Sequence, residues 1–354
     1  MFRKMTEANI TIEAPAEEKV SSKLPVFYNP VMKINRDISV LLLKAIDNKD
    51  MQICDLLAGT GIRSIRFLAE LDKKIKSITI NDHNEQATEL IKKNIEANKE
   101  KLDHDAEINI TNQEASTLLL QSTGFDYIDI DPFGTPNPFL DAAIRRLARD
   151  GILAVTATDT SALAGTFPKV CMRRYWAVPD RGHLKHEVGL RILVRKVQLV
   201  AAQYEKALVP IFSYSKEHYL RVFFRCSKGK SAVDEIVKRH GMLNKAGPLW
   251  LGRLWDQDIA ERMYLLVEKL GYGTDGKFLR TIRDESRIDV VGFHDIHALC
   301  KRNKLEVPAF GPVFDAIRAE GYPLSRTHFS DHGVRSRISE DDLIEIVQSV
   351  ANRH

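Results

Sequence analysis

Cysteine is scarce in this chain of 354 residues, and its four copies, Cys54, Cys171, Cys226 and Cys300, stand far apart with no C-x-x-C pair. That pattern excludes a disulfide framework and the common zinc spacings, and it reads as four reduced thiols and no metal. No apolar run approaches the roughly 18 residues that a membrane span needs. The opening stretch, MFRKMTEANITIEAPAEEK, carries acids early and has no apolar centre, so it does not read as a secretory signal. Internal repeats and low-complexity tracts are absent as well. Nor does one charge dominate: 52 Lys and Arg stand against 48 Asp and Glu, a net charge of +4. Such a balance does not by itself imply nucleic acid. These absences predict a cytoplasmic protein that does not enter a membrane.

What is present is a long alternation. The length exceeds one ordinary domain of about 100–200 residues, so two domains are expected. Strand-like runs rich in Ile, Val, Phe and Tyr occur at 51–57, 77–82, 107–112, 126–131, 151–158, 208–214 and 219–226. Helical patterns lie between the earlier ones: GIRSIRFLAELDKK, NEQATELIKKNIEANKE and PFLDAAIRRLARD. Strands alternating with helices predict a parallel α/β sheet with helices on both faces. The last two strands, joined across SKEH, predict an antiparallel hairpin at one side of that sheet. After about Ser227 helices dominate. There, two short helices precede YPLSRTHFSDHGVRSRIS, a candidate β-ribbon with Gly333 in its turn, in a winged-helix-like order. The expected division is therefore 1–227, an α/β domain with an N-terminal arm, and 228–354, a smaller, mainly helical α+β domain.

Two motifs carry chemistry. DLLAGTGIRSIRFL is a strand, a glycine turn and a helix, in which Gly59 and Gly61 permit a tight turn and close approach to a ligand. Asp82 ends the next strand, 21 residues after Gly61, where a carboxylate can accept both hydrogen bonds of a ribose diol. A dinucleotide such as NAD and S-adenosylmethionine both fit this pair; a simple packing turn is the plainer reading. Glu114, in QEAS, is placed beside a bound adenosine or faces solvent.

The second motif is YIDIDPFGTPNPF, residues 127–139. It ends the fourth strand, where an open α/β sheet presents its ligand crevice. A carboxylate, a proline and an aromatic in a row suit methyl transfer to an exocyclic base amine. The lone pair of such an amine is delocalised into the ring, and a carboxylate can draw on its protons as the nitrogen pyramidalises. Pro132 fixes the turn and brings no competing N–H. Phe133 offers a stacking face. Asp131, adjacent to Pro132, is the candidate acceptor; Asp129 lies two residues earlier on the same face. An Asp capping a turn is the structural alternative.

DIDPFGTP closely resembles the D-x-D-P-F-G-[ST]-P signature of the tRNA guanine-26 dimethyltransferase family. LPVFYNPVMKINRDIS, AGTGIRSIRF, GILAVTATD, HEVGLRIL, GPLWLG and RTHFS are similar to further family segments, in order, from about residue 24 to the C-terminus. The resemblance implies a Rossmann-like class I methyltransferase domain that uses S-adenosylmethionine to methylate the 2-amino group of guanine 26 of tRNA once or twice. It implies cofactor contacts at Arg36, Gly59, Gly61, Arg63, Asp82, Glu114 and Ala115. It also implies catalysis by Asp131 with Pro132, and a guanine sandwiched by Phe27 and Phe133. Leu57 stands where the general loop often has a third glycine, and ATDTSALAGTFP departs from the usual ATDGAPLCG.

Between Cys171 and Val200 seven basic residues (Arg173, Arg174, Arg181, Lys185, Arg191, Arg195, Lys196) face two acids. Such a cluster can neutralise phosphates, with Arg173, Arg174 and Lys185 as candidate tRNA contacts; a solvated helix face is the alternative. His183 and His186 lack further metal ligands. Trp250 and Trp255 read as packing residues. The expected assembly is a monomer acting on tRNA. A nicotinamide-dependent dehydrogenase would use the same glycine turn but leaves DPFG unexplained. A non-catalytic RNA-binding protein on this fold would leave Asp131-Pro132-Phe133 without a purpose.

Overall fold

The computed structural model describes residues 2–16, 26–270 and 276–351. Leu24 and Pro25, which open the LPVFYNP segment, lie outside the described residues. The chain begins with a hairpin, β1 (Phe2–Glu7) and β2 (Ile10–Pro15), followed by α1 (Lys33–Ala45). The alternation then runs β3 (Met51–Asp55), α2 (Ile62–Glu70), β4 (Ile75–Asn81), α3 (Glu85–Asn98), β5 (Glu107–Thr111), α4 (Ala115–Gln121), β6 (Phe125–Ile130), α5 (Asn137–Arg146) and β7 (Leu147–Ala157). Helices α6 (Thr160–Leu163), α7 (Pro168–Tyr175) and α8 (Lys185–Ala202) lead to β8 (Lys206–Lys216) and β9 (Tyr219–Lys228).

These strands form one seven-stranded sheet in the order β5-β4-β3-β6-β7-β9-β8. The first five in sequence are parallel, and β8 and β9 form an antiparallel hairpin at one side of the sheet, as the sequence predicts; β9 rather than β8 joins the hairpin to the sheet, antiparallel to β7. The chain winds outward from β3 to β5, then returns to place β6 on the other side of β3. That reversal creates a switch point between β3 and β6, the place where open α/β sheets bind ligands. Strand β6 shows why it sits centrally: every residue of Phe125–Ile130 except Asp126 is buried. The N-terminal hairpin is laid on α3 by two asparagines. Asn94 accepts from the Glu13 N–H (2.8 Å) and donates to its carbonyl (3.1 Å), and Asn98 treats Thr11 in the same way.

One expected helix is shorter than its pattern. PFLDAAIRRLARD continues the helical period to Asp150, yet α5 stops at Arg146 and Leu147 begins β7, paired with Phe125. The cause is distant in sequence. The Lys206 ammonium donates to the carbonyls of Ile144 (2.5 Å), Arg145 (3.1 Å) and Leu147 (2.7 Å), satisfying the groups a helix end leaves open.

The C-terminal part comprises α9 (Lys230–Val237), β10 (His240–Leu243), β11 (Ala246–Trp250), α10 (Gln257–Leu270), α11 (Gly276–Ser286), β12 (His294–Asp295), α12 (Ile296–Asn303), α13 (Phe310–Ala319), β13 (Leu324–Thr327), β14 (Ser330–Ser336) and α14 (Glu340–Ala351). The main core continues from the large sheet into α10 and α11 through Ile259, Met263, Leu279 and Ile282. A second core gathers Leu299, Val313, Ile317, Val334, Leu343 and Val347. The ribbon exists as β13 and β14, flanked by β12. Gly333 is not in its turn. It lies inside β14 opposite Asp295, and a Cβ there would meet the Thr327 methyl at 2.2 Å and Phe293 at 2.9 Å. The glycine is required by close packing, not by a bend.

Candidate active site

A cavity of about 960 Å³ opens at the carboxyl ends of the sheet, across the switch point. Gly59, Asp82, Glu114, Ala115, Asp131, Pro132, Phe27 and Phe133 all line it, so both motifs open onto one space. The cavity, the strand ends and the two motifs thus coincide, which is the default expectation for a ligand site.

One half is built by the glycine turn and the ends of β4 and β5. Gly59 has φ +57°, and an added Cβ would lie 2.7 Å from the Phe27 carbonyl, so only glycine lets the turn pass beneath the 26–29 segment. Gly61, at φ +76°, opens α2. The Asp82 carboxylate accepts from the Gly59 N–H (2.9 Å) with one oxygen and from the Asn84 N–H (2.9 Å) with the other. It is thereby fixed at the rim of the turn with lone pairs remaining. Glu114 caps α4, accepting from the Ser116 N–H (2.9 Å) and the Thr117 N–H (2.7 Å). The bond from the Ser116 N–H leads the interactions that lower its pKa. Asn81 is a brace that sequence reading did not single out. Its side chain holds the Leu56 and Gln113 carbonyls (both 3.1 Å) and ties the ends of β3, β4 and β5 together.

The other half is built on β6. Asp131 is partly buried, and its Oδ2 accepts a hydrogen bond from Arg63. Oδ1 has no hydrogen-bond partner among the described residues. Arg63 is itself fixed by Asn35 Oδ1 (2.9 Å), Ser39 Oγ (3.0 Å) and the Asp129 carboxylate (3.3 Å). Asp129 is fully buried and accepts from Arg221 (2.6 and 2.9 Å) and the Tyr127 hydroxyl (2.6 Å). Burial opposes ionisation of Asp129, but Arg221 and Arg63 outweigh it and hold its carboxyl below the usual range. Asp129 is thus a foundation beneath the site. Neighbouring Asp55, bonded to Ser64 (2.7 Å), goes the other way: burial raises it to about 6.

Arg36, Arg63 and Gly61 do not line the cavity; a Cβ at Gly61 would press on the Ile91 side chain at 3.1 Å, so its absence serves packing of the turn against α3. Arg36 is bound to Glu7 (2.5 and 2.9 Å) and donates to the Asn29 carbonyl (3.1 Å), so it braces the wall from behind. Phe27 and Phe133 do meet, edge to face, with centroids 4.3 Å apart and planes at 76°. Phe133 is 52% exposed. Beside it Gly134 has φ +82° with open space around its missing Cβ.

The basic cluster divides. Arg173, Arg174, Arg181 and Lys185 are exposed. Arg191 and Lys196 are buried, which overturns their reading as phosphate contacts: Arg191 holds Glu187 (2.8 Å) and the Trp250 and Gly252 carbonyls, and Lys196 sits 3.3 Å from the centre of the Trp176 ring. The Arg174 end of the exposed part adjoins the cavity. Tyr175, next to Arg174, donates to Asp159 (2.7 Å) and meets Thr135, a cavity residue, at 3.0 Å. The tip of the β8–β9 hairpin, Glu217, His218 and Tyr219, also lines the cavity. Its signal in the sequence was the polar SKEH connection between two apolar strands; only the antiparallel return of β9 shows that this tip comes back to the strand ends.

A family profile described as "TRM: N2,N2-dimethylguanosine tRNA methyltransferase" matches residues 6–246 and 240–348. The chain belongs to this family. Relatives include the tRNA (guanine(26)-N(2))-dimethyltransferase of Methanobrevibacter smithii, 36% identical over 99% of this chain and 98% of that protein. The Aquifex aeolicus tRNA (guanine(26)-N(2)/guanine(27)-N(2))-dimethyltransferase is 36% identical over 94% and 92%. The solved structure of Trm1 from Pyrococcus horikoshii with S-adenosyl-L-methionine superimposes with a TM-score of 0.89 at 35% identity, covering 98% of this chain and all of that one. Membership of this methyltransferase family removes the nicotinamide-dehydrogenase alternative for the glycine turn. Among the described residues no helix is long and apolar enough to cross a membrane.

Proposed function

We propose that this chain transfers methyl groups from S-adenosylmethionine to the exocyclic 2-amino group of guanine 26 in tRNA. The observation that carries the reading is Asp131-Pro132-Phe133 at the end of β6, opening onto the same cavity as Gly59, Asp82 and Glu114. The cofactor half fits its ligand. Gln113 lines it with a buried Oε1 that has no hydrogen-bond partner among the described residues, an acceptor suited to the adenine 6-amino group. Asp82 takes the ribose diol; Gly59, Glu114 and Ala115 shape the adenosine side, and Gly61 acts from behind by letting the turn pack on Ile91. Arg36 and Arg63 act from behind, through Asn29 and Asp131. S-adenosylmethionine supplies an electrophilic methyl on a sulfonium. The protein's part is positioning, which is worth about 7–11 kcal/mol in favourable cases, and acceptance of the amine's protons at Asp131. Guanine 26 must leave its stack, at a cost of a few kcal/mol. To receive it, the Phe27–Phe133 contact opens, with Phe133 moving on the glycine hinge beside it.

Residues 1–227 act as the catalytic unit and 228–354 as the unit that grips tRNA; the latter has a core of its own within 296–350, while its α10 and α11 pack into the main core. The protein works as a cytoplasmic monomer without a metal; four free, buried cysteines suit a reducing compartment. Mass spectrometry of nucleosides from an unmodified tRNA transcript, incubated with enzyme and S-adenosylmethionine, tests the whole reading. N2-methylated guanosine at position 26 is expected, and its absence from position 26 refutes the assignment.

Asp82→Ala is expected to weaken S-adenosylmethionine binding by about 1.5–3 kcal/mol, the size of a hydrogen bond to a charged group. Unchanged affinity by calorimetry would remove Asp82 from the cofactor site. Arg173 and Arg174, both replaced by Ala, are expected to weaken tRNA binding and flatten its salt dependence, because fewer counterions are released. Phe133→Ala is expected instead to slow transfer with a smaller effect on affinity, since stacking is local and worth roughly 1–3 kcal/mol per base. Filter binding across a salt series separates the two, and an unaltered slope in the arginine variant would make the cluster a solvated face.

A further inference from the structure

Tyr219 opens β9 and lines the cavity, yet it is only 2% exposed. Its hydroxyl is a buried polar group without a hydrogen-bond partner among the described residues. Tyr214 packs against it edge to face, with centroids 5.8 Å apart. The two phenol groups lie close enough to interact through their hydroxyls, but neither hydroxyl meets strict hydrogen-bond geometry with the other or with any other group among the described residues. An unpaired buried hydroxyl costs about 1–3 kcal/mol, so one carried by a residue that lines a ligand cavity calls for a ligand. Burial pushes the Tyr219 phenol pKa up, and the nearby Asp131 carboxylate adds to the push, so the group is a neutral hydroxyl close to the catalytic carboxylate.

Its place in the sheet says which ligand. β9 lies beyond β7, on the side of β6 away from β3, β4 and β5, which carry the cofactor turn. Tyr219 therefore belongs to the half that receives the base. A flipped guanine stays tethered to the RNA through N9, so its sugar side faces the mouth and its Watson–Crick edge enters deepest. That edge carries the 2-amino group, N1–H and O6 in a row. A deep hydroxyl beside the group that takes the amine meets the next atoms along.

We propose that Tyr219 is a guanine-recognition residue, its hydroxyl bonding the N1–O6 side of the Watson–Crick edge while Asp131 takes the 2-amino group. The inference rests on the functional reading above. A hydroxyl both donates and accepts, so it serves either O6 or N1–H. The hairpin that carries it is braced from the C-terminal part: Trp255 donates to the Ser213 carbonyl (2.7 Å), and the Ser215 N–H donates to His328 Nε2 (3.3 Å). Sites that hydrogen-bond a substrate edge reject analogues lacking it, because their own buried groups are then left unpaired.

The test compares single-turnover methyl transfer at saturating enzyme to two tRNAs, one with guanine and one with 2-aminopurine at position 26. 2-Aminopurine keeps the amine but lacks both N1–H and O6. Wild type is expected to prefer guanine, and Tyr219→Phe is expected to reduce that preference roughly five- to tenfold, the effect of one hydrogen bond. Thermal unfolding of Tyr219→Phe is expected to stay close to wild type, since the only protein group near the hydroxyl among the described residues, Tyr214, does not meet strict hydrogen-bond geometry with it. Three results overturn the proposal: wild type methylating both tRNAs equally, a guanine preference unchanged in the variant, or a destabilised variant, which would give the hydroxyl a structural partner. Failure of wild type to methylate guanine 26 at all would instead refute the underlying functional reading.

Discussion

Asp131→Asn is expected to bind S-adenosylmethionine and tRNA within about threefold of wild type and to transfer methyl roughly 10²–10⁴ times more slowly, the usual worth of a positioned general base. Asparagine keeps the shape of the side chain and can still accept from Arg63. What it loses is the negative charge beside the amine. It also risks presenting an N–H₂ donor to a group that needs an acceptor. The surrounding scaffold explains why little else should change. Arg63 retains Asn35, Ser39 and the Asp129 carboxylate, and Asp129 retains Arg221 and Tyr127. The carboxylate is therefore mounted on a rigid, buried ion-pair chain that survives its replacement. Rapid-quench transfer rates beside calorimetric cofactor titrations decide the matter. A rate within tenfold of wild type would remove Asp131 from the chemistry, and a collapse of cofactor affinity would move it to cofactor binding.

How far such a site is legible in the sequence depends on how local its causes are. Asp131-Pro132-Phe133 and the Gly59–Asp82 pair announce themselves because each is a strand end followed by a turn, and strand ends face the crevice in any open α/β sheet. The end of α5 was hidden because Lys206, about sixty residues later in the chain, supplies the cap. Gly333 looked like a turn residue because a glycine removed for packing and a glycine required for bending are the same letter. The basic cluster misled for a related reason: composition counts Arg191 and Lys196 as charges, whereas the fold turns them inward onto Glu187 and the Trp176 ring. Arg36 lay in a matching family segment, yet what it grips, Glu7, comes from a hairpin that no periodicity announced. Tyr219 has no local mark at all; it is placed by an antiparallel strand returning beside β7.

The same non-local logic governs how the C-terminal part is joined to the catalytic sheet, and it gives the largest expected effect on stability. Arg335→Ala is expected to destabilise the protein by about 3–5 kcal/mol, the cost of removing one partner from a buried ion pair. Arg335 is fully buried on β14 and donates to Glu187 of α8 (2.7 Å), to Glu285 of α11 (3.0 Å) and to the Val290 and Gly292 carbonyls (3.0 and 2.9 Å). Glu187 is also paired with Arg191 at 2.8 Å, and Glu285 also accepts from the Thr327 hydroxyl and from His328. Two carboxylates and two guanidinium groups thus balance in the interior. Without Arg335, both carboxylates stay buried and share one cation. Burial disfavours the Glu187 charge, but Arg335 and Arg191 outweigh it and hold the pKa at about 2, against an ordinary 4.5. A depressed carboxylate contributes stability above its unfolded pKa and loses it as pH falls, so wild type should shed this contribution between about pH 4.5 and 2. The Ala variant should show a shallower loss over that window. Lysine should rescue poorly, since its single ammonium cannot reproduce the planar fork that reaches two carboxylates and two carbonyls. Replacing both Arg335 by Met and Glu285 by Gln should recover part of the loss, because it removes a charge of each sign. Urea unfolding at pH 7 and at pH 3 measures all of these, and an Arg335→Ala variant within 1 kcal/mol of wild type would show that the buried network does not hold the two parts together.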